Sequence, residues 1–285
     1  MFKVYKSASH DYDINNLPHN RKEAFKDIVK QRYKLLTLMG LIFFAFAIVF
    51  FVSIYFQFKA NYNIANSIAE GNIEYQQAIE ELVSYKGVMN LFTLVGSIIL
   101  LVGLSGLSKV FLKLTYQEGI IFSYDFKVGI TQNYKDLALG FLFYYVIYIV
   151  FDYISSLILI NQLSSLSFIV VIPYILLFAV LLPCFIIYYN LNCIYSDSIK
   201  RKIKNAWIIY LKYMPIVILF VLLFVMPLIV FVQPNFIISF VTIFIVCLFI
   251  LPVEMVGWHL YANKMFDECI NINFYPEIVD KGLEM

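Results

Sequence analysis

The chain alternates between long apolar blocks and short polar stretches. Six blocks hold about 19–24 residues each with few or no charges, and about 20 residues in an α-helix cross a hydrocarbon core of roughly 30 Å. A transmembrane β-barrel would show short segments of alternating hydrophobicity, so the blocks predict membrane-spanning helices. They are residues 35–58, 88–107, 137–160, 166–189, 214–232 and 236–256.

The placement of positive charge predicts the orientation of these helices. Nineteen of the 21 Lys and Arg residues lie before the first block or after the second, fourth and sixth, and only Lys59 and Lys86 lie on the other side. Because positively charged loops stay in the cytoplasm, both termini are predicted to be cytoplasmic, with the protein in the plasma membrane.

These boundaries predict three regions along the chain. An N-terminal cytoplasmic segment with an amphipathic helix comes first, then a six-helix transmembrane domain, then a cytoplasmic tail. Within the transmembrane domain we expect one sizeable outer loop and two cytoplasmic loops. The regions are residues 1–34, 35–257 and 258–285, the outer loop is 59–87, and the cytoplasmic loops are 108–136 and 190–213.

A short motif recurs before the first, third and fifth blocks. It begins at Phe25, Phe126 and Ile199 and reads apolar, Lys, two variable residues, Val or Ile, one variable, Gln or Asn, one variable, then Tyr or Trp. Residues suited to capping a helix precede each copy, namely Asn20 with Glu23, Ser123 and Ser196. The sequence therefore predicts an all-α fold of three hairpin repeats, each preceded by a cytoplasmic amphipathic helix.

The repeated element has two interpretations. Aromatic residues favour the headgroup layer and lysines reach anionic lipid phosphates, so the element can be an interfacial anchor. Alternatively, it is a docking surface for other membrane subunits or a cytoplasmic partner. The thin, topology-dictated charge argues against nucleic acid. The candidate interface residues are Phe25, Tyr33, Phe126, Tyr134, Lys200 and Trp207.

Asp152 is the clearest candidate for intramembrane chemistry, since it lies inside the third block. A carboxylate there costs about 2.5–3.5 kcal/mol on insertion scales and is expected to face the bundle interior. It is either a protonatable or ion-binding site, or a carboxyl group hydrogen-bonded to a neighbouring Tyr, Ser or Asn. The sequence leaves both alternatives open.

Glu254 is the second candidate and lies two residues after Pro252 in the sixth block. A proline kink beside a carboxylate could form a gate or cation site, but such a residue also commonly marks the membrane interface. His259 lacks nearby ligands for a metal. Other prolines that interrupt the apolar blocks are Pro173, Pro183 and Pro227.

No motif for catalysis or for a cofactor is present. The chain lacks a Walker motif, a metalloprotease motif and a serine elbow, and its four dispersed cysteines favour reduced structural thiols. We therefore expect neither an enzyme nor a bound cofactor or metal. Gly96 and Gly103 in the second block predict a close helix–helix contact.

The repeat resembles the YesL-like family of uncharacterised bacterial integral membrane proteins. The resemblance depends on residues 118–126, which read EGIIFSYDF, with Asn133, Tyr134 and Lys135. It implies a helical bundle of several spans that accompanies carbohydrate ABC importers, and it supplies no catalytic residue.

Two main functions are consistent with these features. The first is a non-enzymatic accessory or assembly protein of a bacterial plasma-membrane system, which the repeated basic element favours. The alternative is a small-molecule or ion transporter or channel that uses Asp152, which the intramembrane carboxylates and prolines favour. A lipid-active enzyme is a more distant third, because the sequence shows no polar cleft for it.

Overall fold

A computed structural model of the chain describes residues 17–71, 75–160, 172, 175–232 and 235–284. This part of the chain is helical and contains no strand. Six helical segments are long and apolar enough to cross a membrane, as predicted. Residues 161–165, between the third and fourth apolar blocks, lie outside the described residues, as do Pro173 and the start of the fourth block.

Nine α-helices are assigned in the described part of the chain, joined in places by π-helical or 3₁₀ turns. The α-helices are α1 (Arg21–Gln31), α2 (Tyr33–Ala69), α3 (Tyr75–Thr115), α4 (Phe122–Ile160), α5 (Leu182–Ile194), α6 (Ile199–Val225), α7 (Phe236–Ile245), α8 (Leu251–Phe266) and α9 (Ile272–Phe274). The π-helical turns are Leu177–Leu181, Val246–Ile250 and Asp267–Asn271, and the 3₁₀ turns are Met226–Val232 and Pro276–Ile278.

Three helices are much longer than a membrane crossing. The helices α2, α3 and α4 have 37, 41 and 39 residues, or about 55–60 Å at 1.5 Å per residue, against a hydrocarbon core of roughly 30 Å. The segment 59–87, which the sequence predicted as an outer loop, is therefore built mainly from extensions of α2 and α3. Much of 108–136 is likewise helical.

The two ends of the bundle differ in their connections. At one end the N-terminal and C-terminal segments meet, where the Glu284 amide donates to the Pro18 carbonyl at 3.0 Å. We call this the termini end. At the other end, which we call the hairpin end, α2 passes into α3.

Glycines allow the helices to pack closely. A Cβ atom on Gly96 of α3 would lie 2.7 Å from the backbone nitrogen of Phe50 in α2, so only glycine fits there. Gly40 of α2 likewise lies against the backbone carbonyls of Cys247 and Leu248. The close contact predicted from Gly96 is confirmed, and it joins α2 to α3.

Two prolines, Pro183 and Pro252, follow π-helical turns. Each lacks an N–H group to donate to the carbonyl one turn earlier, and another helix contacts that carbonyl instead. Pro183 cannot donate to the Ala179 carbonyl one turn earlier, and the Tyr210 hydroxyl of α6 donates to that carbonyl instead. Pro252 similarly cannot donate to the Leu248 carbonyl, and this carbonyl faces Gly40 of α2. Extra residues in the π turns thus accommodate prolines that would clash in a regular helix.

The three basic amphipathic segments enter their spans differently. Arg32 (φ −112°, ψ 19°) separates α1 from α2, and Tyr213 (φ −116°, ψ 18°), followed by Pro215, interrupts α6. The corresponding segment of α4 runs into its span as one helix. In α1 the buried residues are Ala24 and Ile28, each one position before an apolar residue of the repeated motif, Phe25 and Val29.

One predicted helix cap is confirmed and two are wrong. The Asn20 side chain accepts from the Glu23 amide at 3.0 Å, as expected. In α4 the capping side chain is Asp125, which accepts from the Ile121 amide at 2.8 Å, whereas Ser123 lies inside the first turn. The N-cap of α6 is Ser198 rather than Ser196, because the helix begins at Ile199, two residues later than a cap at Ser196 would place it.

The C-terminal region is less tail-like than predicted. Residues 258–266 continue α8, and Trp258, Ala262, Met265 and Phe266 are buried in the main hydrophobic cluster with residues of α5 and α6. The helical run then continues through the π-helical turn Asp267–Asn271 to Phe274. The predicted boundary at 257 therefore falls inside α8. The buried apolar face of this helix extends beyond the sixth apolar block, which ends at residue 256.

Candidate functional site

Asp152 forms an ion pair inside the bundle. Its carboxylate oxygen Oδ1 lies 2.7 Å from Nζ of Lys86, and the two side chains are 12% and 6% exposed. The same ammonium group lies 3.4 Å from the Asp152 carbonyl oxygen. The sequence interpretation had named Tyr, Ser or Asn as partners for Asp152 and had used Lys86 only as an outer-loop charge, so this pairing was missed.

Polar side chains near this pair also join helices. The Gln57 amide donates to Thr93 at 2.9 Å and to Asn90 at 3.2 Å, and Tyr145 of α4 donates to the Asn90 carbonyl at 2.7 Å. Thr93 in turn donates to Ser53 at 3.1 Å. These bonds connect α2, α3 and α4 in the half of the bundle towards the hairpin end.

Glu254 and Asp152 do not share a site. Glu254 lies in the first turn of α8, two residues from Val256, which belongs to the same hydrophobic cluster as Leu107 of α3. Lys86, the partner of Asp152, is 21 residues before Leu107 on the same helix, or roughly 30 Å at 1.5 Å per residue. The two candidate carboxylates therefore occupy opposite halves of the bundle.

His259 lies among aromatic side chains. Its ring stacks on Phe111 with centroids 5.2 Å apart and meets Tyr189 edge-on at 6.0 Å. Within the described residues, no group of three or more His, Cys, Asp or Glu side chains could hold a metal ion. The four cysteines are free thiols.

A second buried lysine lies towards the termini end. Lys202 of α6 is 3% exposed, and its ammonium group bonds Asp136 of α4 at 3.0 Å and the Asn192 side-chain oxygen of α5 at 2.8 Å. Asn192 donates to the Asn133 carbonyl at 2.9 Å, and Asn133 donates to Ser108 of α3 at 3.1 Å. One chain of buried polar groups thus connects α3, α4, α5 and α6.

A third charged contact holds the connection between α3 and α4. Lys113 pairs with Asp125, whose side chain is 1% exposed, at 2.7 Å, and it also donates to the Gly119 carbonyl at 3.3 Å. Asp125 therefore both caps α4 and binds the preceding helix. The resemblance motif contains Asp125, but nothing in its spacing identified Lys113 as the partner.

Ion pairs tie the terminal segments to the bundle. Arg21 of α1 contacts Asp267 and also lies 2.8 Å from Asp280, while Lys281 pairs with Glu118 at 2.7 Å. The C-terminal segment also covers Tyr116, and burial, followed by the charges of Asp267 and Glu118, raises the pKa of that hydroxyl. We call these linked terminal segments the terminal layer.

The predicted interface residues do not form one exposed surface. Tyr33 is 58% exposed and Lys200 is exposed, whereas the other four are half-buried and pack against the bundle. Those four are Phe25, Phe126, Tyr134 and Trp207. Their apolar groups mainly secure the amphipathic segments to the bundle.

Two adjoining depressions lie on the surface at the termini end. They measure about 480 and 410 Å³ and share Arg201, Asn205 and Ile208 of α6. The first is also lined by Lys200 and Lys204. The second is bordered by the C-terminal segment through Cys269, Ile270, Phe274 and Tyr275.

No protein-family model, curated protein or solved structure matched the chain.

Proposed function

We propose that this chain is a non-enzymatic accessory or assembly protein of a bacterial plasma-membrane system, with the termini end in the cytoplasm. The orientation is supported by the distribution of Lys and Arg, since nearly all of them belong to segments at that end. The more specific form, a companion of a carbohydrate ABC importer, comes from the resemblance to YesL-like proteins.

The observation that carries the proposal is the terminal layer. Arg21, Asp267 and Asp280 link α1 to the C-terminal segment, and Lys281 with Glu118 links that segment to the connection between α3 and α4. An ordered surface built from distant parts of the chain is suited to partner binding, because little ordering entropy remains to be lost on association.

The internal pairing of charge also supports a structural rather than a transporting role. Asp152 and Lys86 neutralise one another at 2.7 Å, and Lys202 is held by Asp136 and Asn192. Buried charges that are paired and hydrogen-bonded can fix helix arrangement without binding any solute.

Site-specific photocrosslinking in native membranes tests the accessory role. A photoreactive amino acid at Tyr124, which is 64% exposed in the first turn of α4, or at Tyr33 should capture the same partner. The matched control is Leu91, which is 65% exposed on α3 five residues from Lys86 and far from the terminal layer. Capture of no protein above the Leu91 background from either position would remove the basis of this proposal.

Transport through the bundle is the second candidate, and the buried Lys86–Asp152 pair favours it. A lysine–carboxylate pair at membrane depth can relay protons or a coupling ion. The same pair equally serves as a fixed contact between α3 and α4.

Charge exchange separates these two roles. In proteoliposomes, Asp152→Asn should abolish an uptake or proton-coupled signal if the pair carries transport, and unchanged flux would rule that role out. The exchange Lys86→Asp with Asp152→Lys retains an ion pair. It should restore stability without restoring flux if the original carboxylate position is needed for transport.

A further inference from the structure

The first half of α6 combines outward-facing cations with an apolar stripe. Lys200 and Lys204 are exposed, and Ile208 and Leu211 follow on the same helix face because the spacings are four, four and three residues. Ile208 is 55% and Leu211 69% exposed. Positive charge near the start of the helix is therefore followed by exposed apolar surface in the direction of the span.

Apolar side chains are also exposed in the membrane-spanning half of α6, beyond the interruption at Tyr213. Leu219 and Leu222 are 56% and 57% exposed there. A soluble partner would need only the first part of this surface. A phospholipid matches all of it, since its headgroup and acyl chain follow the same order along the helix.

The cations border the two adjoining depressions. The first, of about 480 Å³, is shallow and open, contains Lys200, Arg201 and Lys204, and is lined only by α6 and its N-cap. The second, of about 410 Å³, lies between α6 and the C-terminal segment. Arg201 bonds Asp197 at 2.8 Å through Nη1, and a guanidinium carries five N–H donors, so others remain for an anion. Lys202, between these residues, instead points into the bundle towards Asp136.

The C-terminal segment forms the other wall of the site. Phe274 is 73% exposed beside the second depression, which Tyr275 and Ile270 also line. Tyrosine rings such as that of Tyr275 are favoured at the level of lipid headgroups. The interruption of α6 at Tyr213 lets its basic half lie at a different angle from the span below it.

From these features we propose that the paired depressions bind one anionic phospholipid. Lys200, Arg201 and Lys204 bind the phosphate-containing headgroup, and an acyl chain lies along Ile208 and Leu211. The inference does not depend on the accessory role, because such a site would act in either an accessory protein or a transporter. It differs from general attraction of basic segments to a membrane in requiring these three cations specifically.

Tryptophan fluorescence provides a local probe of this site. The chain has two tryptophans; Trp207 lies three residues from Lys204, whereas Trp258 is fully buried. In a Trp258→Phe background, full-length protein is placed in phosphatidylcholine nanodiscs that contain a small fraction of phosphatidylglycerol brominated near the head of its acyl chains. Brominated phosphatidylcholine at the same fraction is the reference quencher.

Brominated phosphatidylglycerol should quench Trp207 more strongly than the reference lipid. The triple variant Lys200→Gln, Arg201→Gln, Lys204→Gln should lower the apparent affinity at least about fivefold, since one cation near an anionic surface contributes roughly that factor. The control is Lys22→Gln, Lys26→Gln, Lys30→Gln, which removes the same charge from α1 at the same end. It should retain the preference.

Three results would overturn the proposal. They are equal quenching by both lipids, an equal loss in the α1 control, and binding of a soluble acidic peptide to the same three residues without any lipid preference. Native mass spectrometry of the protein with both tryptophans gives an independent measurement. It should detect one retained phosphatidylglycerol that the α6 triple variant lacks, and retention of none would contradict the site even if Trp258→Phe disturbs folding.

Discussion

Among the described residues, Lys86 and Lys202 are both buried and paired with an aspartate, but the two pairs differ in their surroundings. Lys86 and Asp152 connect α3 with α4, and both side chains are shielded, at 6% and 12% exposed. Lys202 is equally buried at 3%, but its partner Asp136 is 38% exposed, and Asn192 shares the ammonium group. One pair is enclosed, and the other extends from the surface into a hydrogen-bonded network.

Two similar lysine–aspartate pairs are therefore stabilised by different interactions. In the enclosed pair each charge needs the other, because water cannot replace a lost partner. In the second pair, water can still reach Asp136. Hydrogen bonds through Asn192 and Asn133 connect this pair to Ser108 of α3. We therefore expect the first to be sensitive to single charge removal and the second to depend on its amides.

The largest effect is expected from Lys86→Met. It leaves the Asp152 carboxylate buried without its ammonium partner, and breaking such a pair costs about 3–5 kcal/mol. The free energy of unfolding, measured by SDS titration of mixed micelles with circular dichroism, should fall by that amount. The double variant Lys86→Met with Asp152→Leu should recover most of the loss. If Lys86→Met lowers the free energy of unfolding no more than Lys22→Met at an exposed position, the pair contributes little to stability.

A smaller loss, of about 2–3 kcal/mol, is expected for Lys202→Met. The Asn192 oxygen loses a charged donor, but Asp136 can remain hydrated, so the cost lies below that of a fully enclosed pair. The same SDS titration measures it. If Lys202→Met proves more damaging than Lys86→Met, the proposed difference between the two pairs is reversed.

Neighbouring asparagines on α5 sharpen the comparison further. Asn192→Leu removes an acceptor for Lys202 and a donor to Asn133, and should cost about 1–3 kcal/mol. Asn190 is also buried, yet its amide atoms have no hydrogen-bond partner among the described residues. Asn190→Leu should therefore be neutral or stabilising by the same titration, and equal losses would show that packing rather than hydrogen bonding dominates at both positions.

The smallest expected effect is a loss of stability at alkaline pH caused by Tyr195, which lies at the termini end. The Tyr195 hydroxyl donates to Asn271 at 2.6 Å, and burial, then nearby Tyr116 and Asp267, raises its pKa. The unfolded chain loses this proton near pH 10 while the folded chain keeps it, so stability is full below about pH 10 and falls as pH rises further.

The variant Tyr195→Phe isolates this effect. It should cost about 1 kcal/mol at pH 8 from the lost hydrogen bond. Above about pH 10 it should lose stability less steeply than the unaltered protein, since lysine titration is common to both. Parallel pH profiles would show that Tyr195 ionises equally easily in the folded and unfolded chain.

Local features were predictable where one segment contains all the relevant residues. The Asn20–Glu23 cap was found because its partners are three residues apart, and Gly96 was found because a small residue in an apolar block has few other uses. The caps of α4 and α6 were misplaced because several polar residues lie close to the start of each helix. Sequence alone could not choose between Ser123 and Asp125.

The candidate site was less predictable because it depends on helix register. Asp152 was identified by its charge inside an apolar block, but Lys86 lies 66 residues earlier in the chain. A shift of α3 against α4 by one turn moves a side chain by about 5 Å and would separate them. The repeated motif similarly indicated an amphipathic helix, but not which side would be buried.

By itself, the sequence determined the all-helical class and the six apolar segments, because backbone groups in lipid must bond within their own helix and about 20 apolar residues are needed to cross. The tertiary structure decided which charges are neutralised and which face outward. Lys86 and Lys202 are buried beside carboxylates, whereas Lys200 and Lys204 remain at the surface. All four are lysines, and the packing of neighbouring helices decides which of them is buried and paired and which remains exposed.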